Sequence, residues 1–464
     1  MALAVFLVGL AKTTLAAGSE LEKVKETKKL SLPEAVELAL KNNLPLQTAR
    51  RNIQRAASNY RSSKAGYYPK LDVAVTGDQG FQSVIVNNQL EYTQAFSGGF
   101  NISATMPLDL SGSIGRAVQQ ALITFITQKA TYIIAGQSLI LTVYQQYYQV
   151  LGAKAAIRID QGQVDQTKEQ LRIAQERLKA GRVPEVDVMT AKVQYDNAVQ
   201  NLKIDEGALE LAKSGLRNTL VLSQTIDIIL TDRLTFEPEQ FAFETALEEA
   251  EQNRPEIKIA RLGLESARIA LRSTYDPYRP TLSVSANYGY NILGLSPRDA
   301  WNNKPPNFTH SYGATFRIPL LIFDGGIIRE SKNQALVNID QAKANIKEAQ
   351  EGVSLDVKNS LTTLNNSRER VEVGQGSINL AKQTLRIAEM RYSTGTTSYL
   401  EVTDARNNLR TAELNLLTAL IAYNNAKVDV YRTLGRPLIQ ETSIQAALSS
   451  TPLKAQKKPS KEKE

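Results

Sequence analysis

The chain of 464 residues contains no cysteine and a single histidine, His310. Without thiols there is no disulfide framework, no cysteine nucleophile and no acylated N-terminal Cys. One imidazole excludes multi-histidine metal cages and confines any Ser-His-Asp arrangement to one position. Beyond the N-terminus, no window approaches the roughly 18 uninterrupted apolar residues of a membrane helix. Basic blocks are scarce too: the formal charge is +8, but 55 Lys and Arg are interspersed among 47 Asp and Glu. Only the tail KAQKKPSKEKE is a basic run. It reads as a solvated, unfolded end, so nucleic acid is not expected as a partner. No stretch has the form of a phosphate loop, and acids spread along helix faces do not make an acid–base pair. The sequence predicts no enzyme, no cofactor and no metal site.

What is present begins with MALAVFLVGLAKTTLAAGS, an apolar core followed by small residues. Residues 1–18 read as a secretory signal cut after Gly18, with Ala16 at the minus-three position, although the basic start of such a signal is missing.

The chain contains one helical hairpin twice. LRIAQERLKAGRVPEVDVMTAKVQYDNAVQN, from Leu171, aligns with LRIAEMRYSTGTTSYLEVTDARNNLRTAELN, from Leu385. Gly181 falls on Gly395, an offset of about 214 residues and far beyond any solenoid period. After the second turn, Val402, Ala405, Leu409, Ala412, Leu416, Ala419, Tyr423, Ala426 and Val430 alternate steps of three and four. The first copy matches them with Val188, Ala191, Tyr195, Ala198, Leu202, Asp205, Leu209, Ala212 and Leu216. A seam of about four heptads points to coiled coil, with an ordinary helical bundle as the alternative. A second apolar line on the last helix, Leu400, Leu414, Leu417 and Ile421, offers a contact on its other side.

Upstream of each hairpin the period changes from helical to alternating. Four strands are predicted, over 69–80, 98–108, 280–291 and 310–321, each with one apolar face and one face of small polar residues. A soluble sandwich would alternate in the same way. Aromatic residues near the strand ends, including Phe81, Tyr92, Phe96, Tyr290 and Phe308, favour a membrane girdle. The stretches Phe81–Phe96 and Leu293–Pro306 read as surface loops. Four strands are too few to close a barrel, which takes about eight, and open edges are excluded from lipid. A membrane setting therefore requires oligomers, and three chains would supply about twelve strands. Each strand pair leads into a long helical stretch, from about Ser113 to Ala180 and from about Gly326 to Thr394. Helices of roughly 67 residues reach about 100 Å.

Three segments together resemble the TolC-like outer-membrane efflux proteins: the LSLPEAVELALKNN opening from Leu30, the IPLLIFDGG segment from Ile318, and the paired turns RLKAGRVPEVDVMTA and RYSTGTTSYLEVTDA. The resemblance runs from about Leu30 to Gly435. It implies an α+β membrane protein, a homotrimer whose twelve-stranded transmembrane β-barrel continues into a long α-helical coiled-coil barrel in the periplasm, with an internal two-fold repeat. The expected parts are a first repeat over 19–220, an equatorial segment over 221–243, a second repeat over 244–435 and a tail over 436–464. The implied partners are outer-membrane lipid, a periplasmic adaptor protein and an inner-membrane transporter. The implied role is the exit duct of a tripartite efflux or type I secretion system; a coiled-coil envelope tether without transport is the alternative.

The resemblance also places site residues. Glu401 and Asp404 fall where family members close the periplasmic tip, with Asp187 and Tyr392 in supporting positions. Thr397 stands where a close relative has a latching Arg, so the latch is expected to differ. Gly181, Arg182, Gly395 and Thr396 form the turns that would meet the adaptor, and Arg182, Pro184 and Glu185 depart from a small apolar turn. The plain alternative for these acids is a helix start, where carboxylates are favoured. Asp324 is expected to cap the helix that follows it.

Overall fold

The computed structural model describes residues 27–436, apart from 87–88, 295–297, 299–306 and 318–322. The signal segment and the tail beyond 436 therefore lie outside the described residues, as does most of the second expected surface loop.

The chain enters through β1 (Thr27–Leu30), α1 (Leu32–Asn42) and α2 (Leu44–Ala65). Glu34 reaches back to accept the Ser31 N–H at 2.8 Å, one half of a capping box. Asn43 ends α1 and caps α2, its Oδ1 accepting from the Leu46 N–H at 3.0 Å. Strands β2 (Lys70–Val86) and β3 (Gln89–Leu108) follow, then α3 (Ser113–Lys179) and α4 (Glu185–Leu220). The second half has β4 (Asp227–Leu230), α5 (Phe243–Asn253), α6 (Pro255–Ser273), a 3-10 turn at Asp276–Tyr278, β5 (Thr281–Gly294) and β6 (Asn307–Arg317). It ends in α7 (Ile327–Ser393) and α8 (Tyr399–Thr433).

Helices α3 and α7 have 67 residues each. Their bounds fall within a residue of those read from the sequence. No described helix is long and apolar enough to cross a membrane. Each long helix begins under an aspartate. Asp109 accepts from the Ile114 and Gly115 N–H groups at 3.1 and 2.8 Å. Asp324 accepts from those of Gly326 and Ile328 at 2.8 and 2.9 Å, the cap the sequence indicated.

The four long strands form one antiparallel sheet in the order β2-β3-β5-β6. Register aligns like faces. Val73, Ile102, Tyr288 and His310 make one row, and Val75, Phe100, Tyr290 and Phe308 the next. Between them run Ala74, Asn101, Gly289 and Thr309 on the other face. The apolar face is uncovered within the chain: Leu71 is 70% exposed, Val73 65% and Val75 81%. The first hairpin departs from expectation, because Phe81–Val86 and Gln89–Phe96 are paired strand and not loop: Phe81 registers with Gln94, and Val86 with Gln89. Gly77, Gln79 and Gly80 interrupt the apolar alternation there, but ladder hydrogen bonds need only a partner backbone.

Where the strands hand over to the helices, Arg116 and Asp276 form an ion pair between the halves, and Arg279 Nη1 donates to the Ser111 carbonyl at 2.8 Å. Lower down, β1 and β4 pair in parallel, Thr27 with Asp227 through Leu30 with Leu230. Above this small sheet, Tyr147 of α3 is fully buried and donates to Asp232 Oδ2 at 2.8 Å. Tyr423 of α8 serves the other half, its hydroxyl donating to the Glu237 carbonyl at 2.7 Å and accepting from the Glu239 N–H at 3.0 Å. Two cores surround these tyrosines, one gathering Val36, Ile140, Val143, Leu216 and Ile228, the other Ile257, Val357, Leu364, Val430 and Leu434. Each such side chain contributes about 1.5–3 kcal/mol by leaving water.

The long helices pack side by side: α3 against both α4 and α8, and α8 against α7. The row is therefore α4-α3-α8-α7. The line Leu414, Leu417 and Ile421 on α8 borders α3 at Gly152, Ala153 and Ala156, and Leu400 stays 62% exposed. Gly152 sets the approach, since a Cβ there would lie 2.3 Å from Ile421 Cδ1.

Three helices end on a left-handed glycine, Gly181, Gly395 or Gly435, with the following N–H bonding back to the carbonyl five residues earlier. Gly435 is the tightest: a Cβ would stand 2.9 Å from Asn253 Cβ and 3.1 Å from its carbonyl carbon. Gly395 has open space. Gly395→Ala is expected to lose about 1 kcal/mol from the left-handed backbone alone, and Gly435→Ala about 3 kcal/mol because a clash is added. Thermal unfolding in detergent measures both; equal losses would remove the steric part of the argument.

Candidate functional site

The two hairpin tips share one backbone design and differ in chemistry. At the first, the Gly181 N–H donates to the Leu178 carbonyl and the Arg182 N–H to the Arg177 carbonyl, both at 2.9 Å. At the second, the Gly395 N–H donates to the Tyr392 carbonyl at 3.1 Å and the Thr396 N–H to that of Arg391 at 3.0 Å. This double bond closes a helix whose next residue is left-handed, which explains Gly at both positions (φ of 70° and 74°). Thr396 adds its hydroxyl to the Arg391 carbonyl at 3.0 Å, so the second tip is the more tightly tied.

Glu401 lies in the first turn of α8 and is exposed. Thr397 Oγ1 donates to its carboxylate, and Arg391 Nη1 stands 3.6 Å away. Its charge is thus locally compensated, although an exposed pair of this kind contributes at most about 1 kcal/mol. Asp404, one turn further on, is exposed and makes no side-chain hydrogen bond or ion pair among the described residues. Asp187, in the first turn of α4, is half-buried and likewise unpaired by its side chain, and no bond joins it to Glu401 or Asp404.

Tyr392 is where the tips meet. The Arg177 guanidinium lies 5.0 Å from its ring centroid, and the Tyr399 ring 5.8 Å away on the same hairpin. The tips therefore stand level, joined by a cation–π contact of about 0.5–1 kcal/mol at an exposed position. Behind this contact Arg406, buried, donates from Nη2 to Glu389 Oε1 at 2.7 Å.

A stronger tie lies further up the row. Arg410 of α8 donates from Nε and Nη2 to the two carboxylate oxygens of Asp160 on α3, both at 2.7 Å. Asp160 is 1% exposed, so its charge is out of water and rests on this fork. Asp205 of α4 lies beside the pair. Its own burial, followed by the Asp160 charge, pushes its carboxyl above the usual carboxylate range, while Arg410 pulls it back. The sequence reading placed Asp205 in the α4 seam without recognising this cluster. Asp160 precedes Val164, an apolar residue buried on the same helix, by four, so an acid at helical spacing from an apolar position was the available signal. Arg177 and Arg391 carried no such signal, because a basic residue near a helix C-terminus is ordinary.

The outer membrane efflux protein family matches residues 35–220 and 246–436. Among curated relatives, the outer membrane protein TolC of Salmonella enteritidis is 26% identical over 317 residues, covering 66% of this chain and 63% of its own length. The antibiotic efflux pump outer membrane protein ArpC of Pseudomonas putida is 23% identical over 418 residues, covering 89% and 84%. In fold, the chain is similar to the Campylobacter jejuni CmeC outer membrane channel, with a TM-score of 0.73, 21% identity and coverage of 91% and 90%. It is also similar to VceC of Vibrio cholerae, with a TM-score of 0.70, 17% identity and coverage of 88% and 97%.

Arg410→Ala strands a buried carboxylate and is expected to lower stability by about 3 kcal/mol. Asp205→Asn should act in the opposite direction. A carboxyl raised in the folded state stabilises below its unfolded value of about 3.9, and that contribution is lost as pH rises through the folded value. The Asn variant avoids that loss, so it should be more stable than the parent at neutral pH, with the gap closing on acidification. Melting curves across pH test both; a gap that grows towards acid would reverse the assignment.

Proposed function

The chain belongs to the outer membrane efflux protein family, the TolC-like channels of the outer membrane, and from that premise we propose that it is the exit duct of a tripartite efflux or type I secretion system. Three copies assemble, each adding four strands to a twelve-stranded barrel and four long helices to a periplasmic tunnel. Cargo handed over by an inner-membrane transporter, through a periplasmic adaptor, passes out passively. The observation that carries the reading is the four-stranded sheet. Its apolar side is uncovered, β2 and β6 have no strand beyond them among the described residues, and it continues into helices about 100 Å long. Lipid suits the apolar face and forbids the open edges, so the sheet calls for neighbours of its own kind.

Under this reading the repeats over 19–220 and 244–435 are two copies of one half, joined by the segment 221–243. The tips close the tunnel at its periplasmic end. Threefold symmetry would gather Glu401 and Asp404 into roughly six carboxylates, and two unit charges at 4 Å repel by about 4 kcal/mol at an effective dielectric near 20. The ring is then a narrow, cation-preferring constriction that divalent ions block. Arg391 and Thr397 temper Glu401, so Asp404 supplies the larger share of the uncompensated charge. Tyr392 with Arg177, and Asp187, support the closed arrangement; Gly181, Arg182, Gly395 and Thr396 face the adaptor. No residue is assigned a catalytic role.

Mass by light scattering in detergent, with conductance in planar bilayers, tests the duct. A trimer that conducts supports it; a folded monomer with its β signal intact, or a trimer silent under opening conditions, overturns it. Asp404→Ala should reduce cation preference and divalent block several-fold, Glu401→Ala less, and Asp187→Ala least. Unchanged selectivity in the Glu401→Ala, Asp404→Ala double variant would remove both residues from the gate.

A further inference from the structure

Below the sheet, the helices of the first half carry positive charge without negative charge. Helix α2 contains no acid, and α3 has none before Asp160. Arg51, Arg55, Arg61 and Lys64 are exposed on α2, and Lys129 is half-buried on α3. None of the five makes an ion pair among the described residues. The second half differs. Helix α6, the counterpart of α2, has Glu256 and Glu265 among its basic residues. Lys343 stands where the repeat places Lys129, and it is paired with Asp340 at 2.9 Å.

Two of the first-half lysines are held in place. The rings of Tyr60 on α2 and Phe125 on α3 stack with centroids 6.4 Å apart and planes 1° from parallel. Lys64 Nζ lies 4.3 Å from the Tyr60 centroid, and Lys129 Nζ lies 4.4 Å from that of Phe125. A ring face orients an ammonium group but does not neutralise it. Two positive charges therefore share one aromatic platform, with no acid on α2 or the upper part of α3 to balance them. The repeat does not copy this platform, because Ile339 stands where Phe125 does.

The place of the patch in the fold names its counter-charge. Lys64 is the penultimate residue of α2, Tyr68 beyond it is 70% exposed, and β2 begins at Lys70. The uncovered apolar face starts at the next residue, Leu71. With that face in lipid, this is the level of the headgroups, where tyrosine and lysine side chains put their apolar parts towards the bilayer and their polar ends towards water.

We propose that the patch formed by Lys64, Tyr60, Phe125 and Lys129 binds the phosphate of an anionic phospholipid in the periplasmic leaflet. The proposal rests on the membrane reading above and adds a lipid class to it. A lysine ammonium binds phosphate as a point charge, and basic residues at a membrane surface attract anionic lipid. Arg61, exposed one turn below Lys64, extends the same field. A zwitterionic headgroup brings its own cation and gains less from this surface.

Native mass spectrometry of the detergent-solubilised protein, with phosphatidylglycerol or phosphatidylcholine added, tests the site. The parent should retain phosphatidylglycerol in preference, and the Lys64→Gln, Lys129→Gln double variant should weaken that retention about ten-fold. Lys64→Arg with Lys129→Arg should preserve it, and Lys343→Gln should leave it unchanged. Equal retention of the two lipids by the parent, or full retention by the Gln double variant, overturns the proposal. Displacement of the lipid by an equal concentration of inorganic phosphate would assign the patch to a soluble anion and overturn it too. Light scattering on the same samples adds a further check: a Gln double variant that falls apart into monomers would show a second copy covering the patch, against the proposal. A conducting trimer without lipid preference overturns the lipid site and leaves the duct reading standing, whereas a parent that fails to insert into phosphatidylglycerol vesicles overturns both.

Discussion

A backbone amide inside hydrocarbon has no water to bond, and each unpaired group there costs several kcal/mol. Among the described residues the four-stranded sheet pairs its backbone along three internal ladders and has no further strand beside β2 or β6, so in the proposed membrane setting those two edges are what an assembly has to cover. Much of the chain follows from holding that sheet in place. Two hairpins of strands need four exits, and the two that follow β3 and β6 lead to α3 and α7 under the Asp109 and Asp324 caps. The other ends are carried by α2 and α6, which lie against the upper parts of α3 and α7. The Arg116–Asp276 pair then fixes one half against the other where sheet and helices meet.

The long helices, the turns and the strand faces were legible in the sequence because each is local. A seam of threes and fours, a glycine at a left-handed helix end, or alternation over ten residues is decided by near neighbours. Three features escaped because they are decided at a distance. β1 is a four-residue strand, TKKL, whose partner lies about 200 residues away, and nothing in its composition marks it. The extension of the first hairpin past Phe81 depends on the opposing backbone, not on side-chain period. The Asp160–Arg410 fork joins helices from different halves, so the sequence displayed its acids without their partner.

The same distinction separates the two tips. Their backbones coincide because both answer one local problem, the closure of a helix on glycine. Their side chains differ because they face different surroundings. Thr394 and Thr396 stitch the second turn with hydroxyl bonds to the Arg391 carbonyl, and Thr397 engages Glu401. The first turn has Arg182 and Pro184 instead, and Pro184 opens α4 without any side-chain cap. Reading charge alone, Glu401 and Asp404 look like an equivalent pair; with neighbours included, only Asp404 stands unscreened.

One helix end breaks the glycine rule. Val221 closes α4 at φ 54°, with the Leu222 N–H donating to the Arg217 carbonyl at 2.9 Å in the same double-bond pattern. A β-branched residue in this region is destabilised by about 1–2 kcal/mol. The comparison with Gly435 explains why it is tolerated here and not there. At Gly435 a side chain would run into the Asn253 backbone, so no residue with a Cβ fits without movement. Val221 is 45% exposed and has room, and the unfavourable backbone is the only obstacle. Leu222 beyond it packs on the first core, and buried Arg217 donates to the Ile226 carbonyl at 2.7 Å, so the chain is held on both sides of the strained residue. Strain of this size is outweighed by those contacts and stays where it is placed.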